Sequence, residues 1–322
     1  MGAPSKEETR RSLTRYWWIL LALIVLFFVV CCAVTHSPVK AQEASHDLER
    51  KPSASDQEAS GPLEKGATTQ SPLCLYGCPE HTHASEEKGL LIHREIYVMR
   101  NNAQTKFADW VAYRVTKETI GKSHTRKWKS DPDLSASATL EAPDYKGAHA
   151  ALHTDRGHQV PLASFSGTSQ WRELNYLSNI TPQSSPLNQQ LWNRLEGKVR
   201  KLAREPDVEA VFVVTGLLFE KEMPELPQAD EEHEIPSGYF KIVALKKKQI
   251  LQLAGFIVTQ ETSGRESHCD HRARVSEIEE RSGLDFFMDL PDAAEEKIES
   301  QPGKLYSRLG CEDPDRSAPA AQ

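Results

Sequence analysis

Three stretches, VEAVFVVTGLLF, YFKIVAL and LAGFIVTQ, leave little freedom in architecture. Each is rich in β-branched and aromatic residues and too short for a buried helix, so each reads as a buried strand. LIHREIYVMR and FADWVAYRVT have the same character. A short polar loop separates them, and they are expected to form a hairpin. Between these runs lies PLNQQLWNRLEGKVRKLAR, where Leu187, Leu191, Leu195, Val199 and Leu202 recur at helical spacing. Further helices are expected near RVSEIEERSG and DAAEEKIES, and a short one ends just before DRGH. LKKKQ, Lys246 to Lys248, reads as a hairpin turn. The pattern predicts an α+β fold, a mostly antiparallel sheet flanked by helices.

That domain is expected over residues 73–312 of the 322. Residues 1–15 form a basic tail with Arg10, Arg11 and Arg15. YWWILLALIVLFFVVCCAV, residues 16–34, carries no charge and is just long enough to span a bilayer. The positive flank on its N-terminal side predicts an uncleaved anchor, N-terminus inside and the bulk of the chain outside. The alternative is a signal core cleaved near Ala41, giving a secreted or periplasmic protein. Residues 35–72 are Ser, Ala, Glu and Pro with few large apolar groups. They read as a disordered linker, and residues 313–322 as a disordered tail.

Export bears on the six cysteines. Cys74 and Cys78 bracket a short loop and leave Cys269 and Cys311 as a second pair, a disulfide arrangement suited to an oxidising compartment. Zinc is the competing reading, with His81 and His83 beside the first pair and His268 and His271 beside Cys269.

The net charge of −7 excludes a basic nucleic-acid coat protein, so any polyanion must be met by a local basic cleft. The densest basic patch is KSHTRKWKS, with Lys122, Arg126, Lys127 and Lys129 around Trp128. The next conspicuous segment is DRGH, Asp155 to His158. By composition it is a loop, in which Gly157 lets the backbone bend and Asp155 accepts backbone hydrogen bonds.

TRKWKSDPDL, DYKGAHAALHTDRGHQVPLAS, NYLSNITPQSSPLNQQLWNRLE and IPSGYFKIV, in this order, resemble the DNA/RNA non-specific endonucleases. These are the sugar-non-specific nucleases of the ββα-metal, or His-Me finger, superfamily, which includes endonuclease G. The resemblance runs over about residues 74–311, the four cysteines included. Val160 departs from it, standing where the family usually has Ala.

The resemblance implies a role for each candidate. His158 is the general base, a role suited to an imidazole, which is neutral near neutral pH. Asn188 is the ligand of Mg²⁺, with Mn²⁺ able to substitute; a neutral amide oxygen holds a hard cation without cancelling its charge. Glu196 lies about two helical turns on, near the same face, and would orient waters of the metal. Arg126 and Arg156 are catalytic cations for the phosphate, whose oxygens suit guanidinium forks. Arg200, within reach of phosphate or of Glu196, and Lys127 are further substrate-binding candidates.

The expected function is cleavage of DNA and RNA to 5′-phosphate ends, with phosphate rather than base recognition and steep salt dependence. Many members of such a family dimerise; the sequence shows no interface. The competing readings are a catalytically silent nucleic-acid-binding or tethered surface module of the same fold, and a zinc phosphodiesterase.

Overall fold

A computed structural model describes residues 71–83, 89–122, 124–248 and 250–312. The expected tail 1–15, the apolar segment 16–34, residues 35–70 of the linker and the tail 313–322 lie outside the described residues. Among the described residues, no helix is long and apolar enough to cross a membrane.

Eleven strands are described: β1 (Glu80–His81), β2 (Gly89–His93), β3 (Val98–Asn102), β4 (Phe107–Val115), β5 (Thr154–His158), β6 (Ile180–Ser184), β7 (Val211–Leu218), β8 (Gly238–Lys247), β9 (Ile250–Thr259), β10 (Arg272–Ala273) and β11 (Leu284–Asp285). Seven make one sheet in the order β10-β9-β8-β7-β4-β3-β2, antiparallel throughout. β1 pairs with β11, and β5 with β6, as separate two-stranded sheets. The helices are α1 (Ala148–Leu152), α2 (Leu162–Phe165), α3 (Asn193–Leu202), α4 (Val275–Ser282) and α5 (Asp292–Glu299).

The long apolar runs become strands because both faces of the large sheet are covered. Along β4, Trp110 and Ala112 join one core with Phe240, Ile242 and Ile278 of α4. Val111, Tyr113 and Val115 join another with Leu195, Val199 and Leu202 of α3. This alternation is the strand period of two. The α+β expectation, its antiparallel sheet and its flanking helices are met. One detail differs: LIHREIYVMR is not one strand but two, β2 and β3. The chain reverses between them where Arg94 N–H donates to Tyr97 O at 2.9 Å.

Both sulfur pairs are disulfides, Cys74–Cys78 and Cys269–Cys311. The zinc reading fails at its thiolates, which are consumed. Three of its four histidines are engaged as well: His81 with Asp109 at 3.2 Å, His268 with Leu309 O at 3.1 Å and His271 with Glu266 at 2.8 Å.

A third core holds β6, and through it the paired β5, against the large sheet, with Tyr145, Ile180, Leu187, Leu191, Trp192, Leu217, Tyr239 and Val258. Polar bonds fix the same junction. Pro182 O accepts from Tyr239 Oη at 2.7 Å and from Gln260 Nε2 at 2.9 Å, and Gln260 Oε1 accepts from Ser184 N–H at 2.7 Å. Tyr145 Oη donates to Ile180 O at 3.1 Å.

Candidate active site

DRGH is a strand rather than a loop. Asp155, Arg156, Gly157 and His158 pair in register with Gln183, Pro182, Thr181 and Ile180 of β6. The glycine is required for a reason other than bending. Gly157 has no positive φ, but a Cβ on it would meet Gln183 Cβ and Oε1 at 2.8 Å. The two strands need a residue without a side chain there.

The chain turns after His158 around Asn179. Its Oδ1 accepts from Val160 N–H at 2.8 Å, and its Nδ2 donates to Val160 O and Leu174 O at 3.1 and 3.0 Å. On the other side of the imidazole, the 126–131 segment is tied down by two backbone bonds. Lys129 N–H donates to Asn175 O at 3.1 Å, and Lys129 O accepts from Leu177 N–H at 2.9 Å. This fixes Trp128, whose ring lies 5.3 Å from that of His158. The Arg156 guanidinium stands over two rings, Trp128 at 5.6 Å and Tyr145 at 5.2 Å, and donates to Ala142 O at 3.2 Å.

The third element enters as a wide π-type turn, Leu187–Trp192, that runs straight into α3. In a regular α-helix, residues eight apart end about 80° out of line. The wider turn takes up part of that excess, and such turns recur at functional sites. Asn188 and Glu196 thereby line the same cleft.

That cleft, of about 850 Å³, brings together Arg126, Arg156, His158, Asn188 and Glu196. Lys127 and Arg200 are not among its lining residues: Lys127 is exposed on the rim segment, and Arg200 lies behind Glu196, its Nη1 3.7 Å from Glu196 Oε2. Sequence reading passed over Tyr145, Lys146, His149 and Gln189, which also line it. Lys146 had one available signal, its place directly before Gly147 in DYKGAHA. The cations Arg126, Lys146 and Arg156 outnumber the carboxylates Asp155 and Glu196 there, although the whole chain is acidic.

Asp155 accepts from side chains rather than from the backbone. Asn188 Nδ2 and Gln189 Nε2 donate to its Oδ2 at 3.0 and 2.8 Å, and Ser185 Oγ donates to its Oδ1 at 2.9 Å. His149 Nδ1 stands 3.3 Å from the same oxygen. Burial opposes its charge, but these bonds keep its pKa below the ordinary carboxylate value. With the amino group of Asn188 committed to Asp155, the amide oxygen is left as the ligand atom this side chain offers. An oxygen donor beside an ionised carboxylate fits a hard divalent cation.

His158 Nε2 is buried without a hydrogen-bond partner among the described residues. Burial, and next the charge of Arg126, push the imidazole down to about 3, with Asn175 acting weakly the other way. The ring is therefore neutral at neutral pH, its unprotonated nitrogen able to accept a hydrogen bond. Glu196 is pushed up by burial, with Lys241 and then Arg200 opposing.

Cations gathered around a neutral imidazole suit work on phosphate esters, and comparison with known proteins gives the kind of enzyme. The model of the DNA/RNA non-specific endonuclease family matches residues 80–293. A nuclease of Serratia marcescens is 44% identical over 241 residues, 74% of this chain and 89% of that protein. Human mitochondrial endonuclease G is 28% identical over 171 residues, 48% of this chain and 54% of that one. A crystal structure of an EndoG/EndoGI complex has the same fold, with a TM-score of 0.57, 20% identity, and 70% of this chain and 95% of that one covered. The chain belongs to the DNA/RNA non-specific endonuclease family, and it is a hydrolase acting as a nuclease on nucleic acids.

Proposed function

We propose that this nuclease is Mg²⁺-dependent, with Mn²⁺ able to substitute, and cuts DNA and RNA to 5′-phosphate ends, using His158 as general base and Asn188 as metal ligand. The observation that carries the reading is the Asn188–Asp155 bond in a cleft that also holds a neutral His158. Nε2 of His158 takes a proton from water as the water oxygen attacks phosphorus. The bond from phosphorus to the 3′ oxygen breaks, leaving the phosphate on the 5′ oxygen of one fragment, while the 3′ oxygen of the other takes a proton from a second water to become a hydroxyl. Arg126 and Arg156 carry the negative charge that grows on the phosphate oxygens. Lys127 lies further out as a phosphate-steering charge, and Arg200, behind Glu196, adds positive charge that favours bound phosphate. Glu196 accepts hydrogen bonds from water in the cleft. Asn188 would hold the divalent cation, which would supply neutralisation of the charge on the departing 3′ oxygen.

The proposal extends to location and assembly. Residues 16–34 anchor the chain with its N-terminus inside and the 73–312 domain outside. Release by cleavage near Ala41 is the alternative, and two disulfides suit either destination. Homodimerisation is proposed from family resemblance alone.

The test incubates the full chain, purified oxidised, with supercoiled plasmid and with structured RNA. Mg²⁺, EDTA and His158→Ala are run side by side, and the ends are assayed for 5′ phosphate by direct ligation. Loss of both cleavages with EDTA and with His158→Ala is expected. Equal activity of wild type and His158→Ala removes His158 as the base. No cleavage of either substrate by the wild type leaves a silent binding module.

A further inference from the structure

A lysine lies completely buried beneath the cleft. On β8, Phe240, Ile242 and Ala244 belong to the core that includes α4, while Val243 and Leu245 belong to the core that includes α3. Alternation puts Lys241 on the α3 side, and it is 0% exposed. Its ammonium donates to Tyr113 Oη at 3.2 Å and stands 4.4 Å from the centre of the Trp192 ring. Trp192, Glu196 and Arg200 follow one another at intervals of four, one stripe of a helix. Trp192 sits on Lys241, and Arg200 Nη1 stands 3.7 Å from Glu196 Oε2. Glu196 lies between them, its side chain 12% exposed and lining the cleft.

A buried ammonium needs a countercharge, and a phenol and an indole supply only partial ones. Burial drives Lys241 down to about 8; the charge that holds it up against burial is Glu196. Seen from the carboxylate, Lys241 is the foremost of the cations that oppose the effect of burial, ahead of Arg200. The geometric link between them is Trp192, whose ring lies 4.4 Å from the ammonium and which stands four residues before Glu196 on the same helical stripe.

We infer that Lys241 is a positioning residue of the nuclease site, holding Glu196 from beneath as an ionised acceptor at the cleft floor. The inference rests on the proposed reading, in which Glu196 orients water. An ionised carboxylate offers only acceptors, whereas a protonated one presents a donor that would turn water the wrong way. Lys241 and Arg200 together also outweigh the charge of Glu196, so the floor stays attractive to phosphate while its exposed group is an anion.

The test compares four proteins on plasmid with Mg²⁺: wild type, Lys241→Met, Glu196→Gln and the double variant. Met keeps most of the volume and removes the charge. Lys241→Met is expected to keep the wild-type circular dichroism and to lose about tenfold or more in kcat with KM nearly unchanged, the range for partners that orient a site from behind. In the Glu196→Gln background the same change is expected to cost nothing further, a result a purely structural lysine would not give. Wild-type kcat in Lys241→Met, or losses that multiply in the double variant, overturn the inference. If Lys241→Met does not fold, Lys241→Arg, which keeps a cation, carries the comparison. It is expected to retain more activity than Glu196→Gln, and an equal loss that multiplies with Glu196→Gln overturns the inference. A wild type that cuts nothing sinks the nuclease reading itself. A wild type that cuts beside a fully active Lys241→Met sinks only this one.

Discussion

Asn188 Nδ2 donates to Asp155 Oδ2 at 3.0 Å, joining the second residue of the wide helical turn to the second residue of β5. The bond selects which end of the amide is available to a cation. Asp155→Ala should therefore weaken Mg²⁺ activation about 10- to 100-fold while leaving His158 chemistry intact. A Mg²⁺ titration of plasmid cleavage measures this. An unchanged half-activating concentration would show that Asn188 is held without Asp155.

The acid behaviour of His158 follows from its surroundings. Its folded pKa, about 3, lies below the ordinary imidazole value of 6.5. Protons therefore bind the unfolded chain preferentially between those two values. The contribution of His158 to stability is complete above pH 6.5 and is lost as pH falls from there toward 3. Arg126→Gln removes one of the two influences that lower the pKa, so the imidazole should titrate at higher pH in that variant. NMR of His158 in both proteins checks the direction. A titration unmoved by Arg126→Gln would leave burial as the sole cause.

Gly157→Ala places a methyl group where Gln183 already stands. Overpacking of this kind costs about 1–3 kcal/mol, and here it pries β5 from β6. The thermal midpoint and the cleavage rate should fall together. Gln183→Gly in the same chain removes both clashing atoms and should restore both, and failure of that rescue would mean that the glycine at 157 is needed for another reason.

The two disulfides should differ in weight. Cys269–Cys311 spans 42 residues and Cys74–Cys78 only 4. Loop-closure entropy assigns them about 4 and about 2 kcal/mol respectively. Replacing each pair with serine and measuring denaturant midpoints should show the larger loss for Cys269–Cys311. The reverse order would mean that the small loop stabilises through its packing on Phe286 and Phe287.

The helix through Leu195 and Leu202 was readable because its apolar period is local, and β7, β8 and β9 because their cores are continuous. The reversal between β2 and β3 was hidden because Arg94, Glu95, Ile96 and Tyr97 include no glycine or proline to announce a turn. DRGH reads as a loop by composition, since its pairing partner β6 lies far along the chain and no local pattern reports it. The residues around the cleft were legible only as motifs, through resemblance. Their bracing was not: the donors to Asp155, the wide turn before α3 and the placement of Lys241 depend on contacts between distant segments. Lys241 did leave one trace, a single charge inside the otherwise apolar YFKIVAL.

β6 is stitched to the large sheet through Pro182 and Ser184, and β5 is stitched to β6 along its whole length. On the proposed reading, in which β5 carries the general base, that strand is an anvil, and the bending falls to the nucleic acid. If the site grips phosphates without touching bases, as proposed, it should sort substrates by how readily their backbone deforms. Where two sequences differ in cutting rate, the difference should then track the stiffness of their base steps, a mechanical preference rather than a reading of letters.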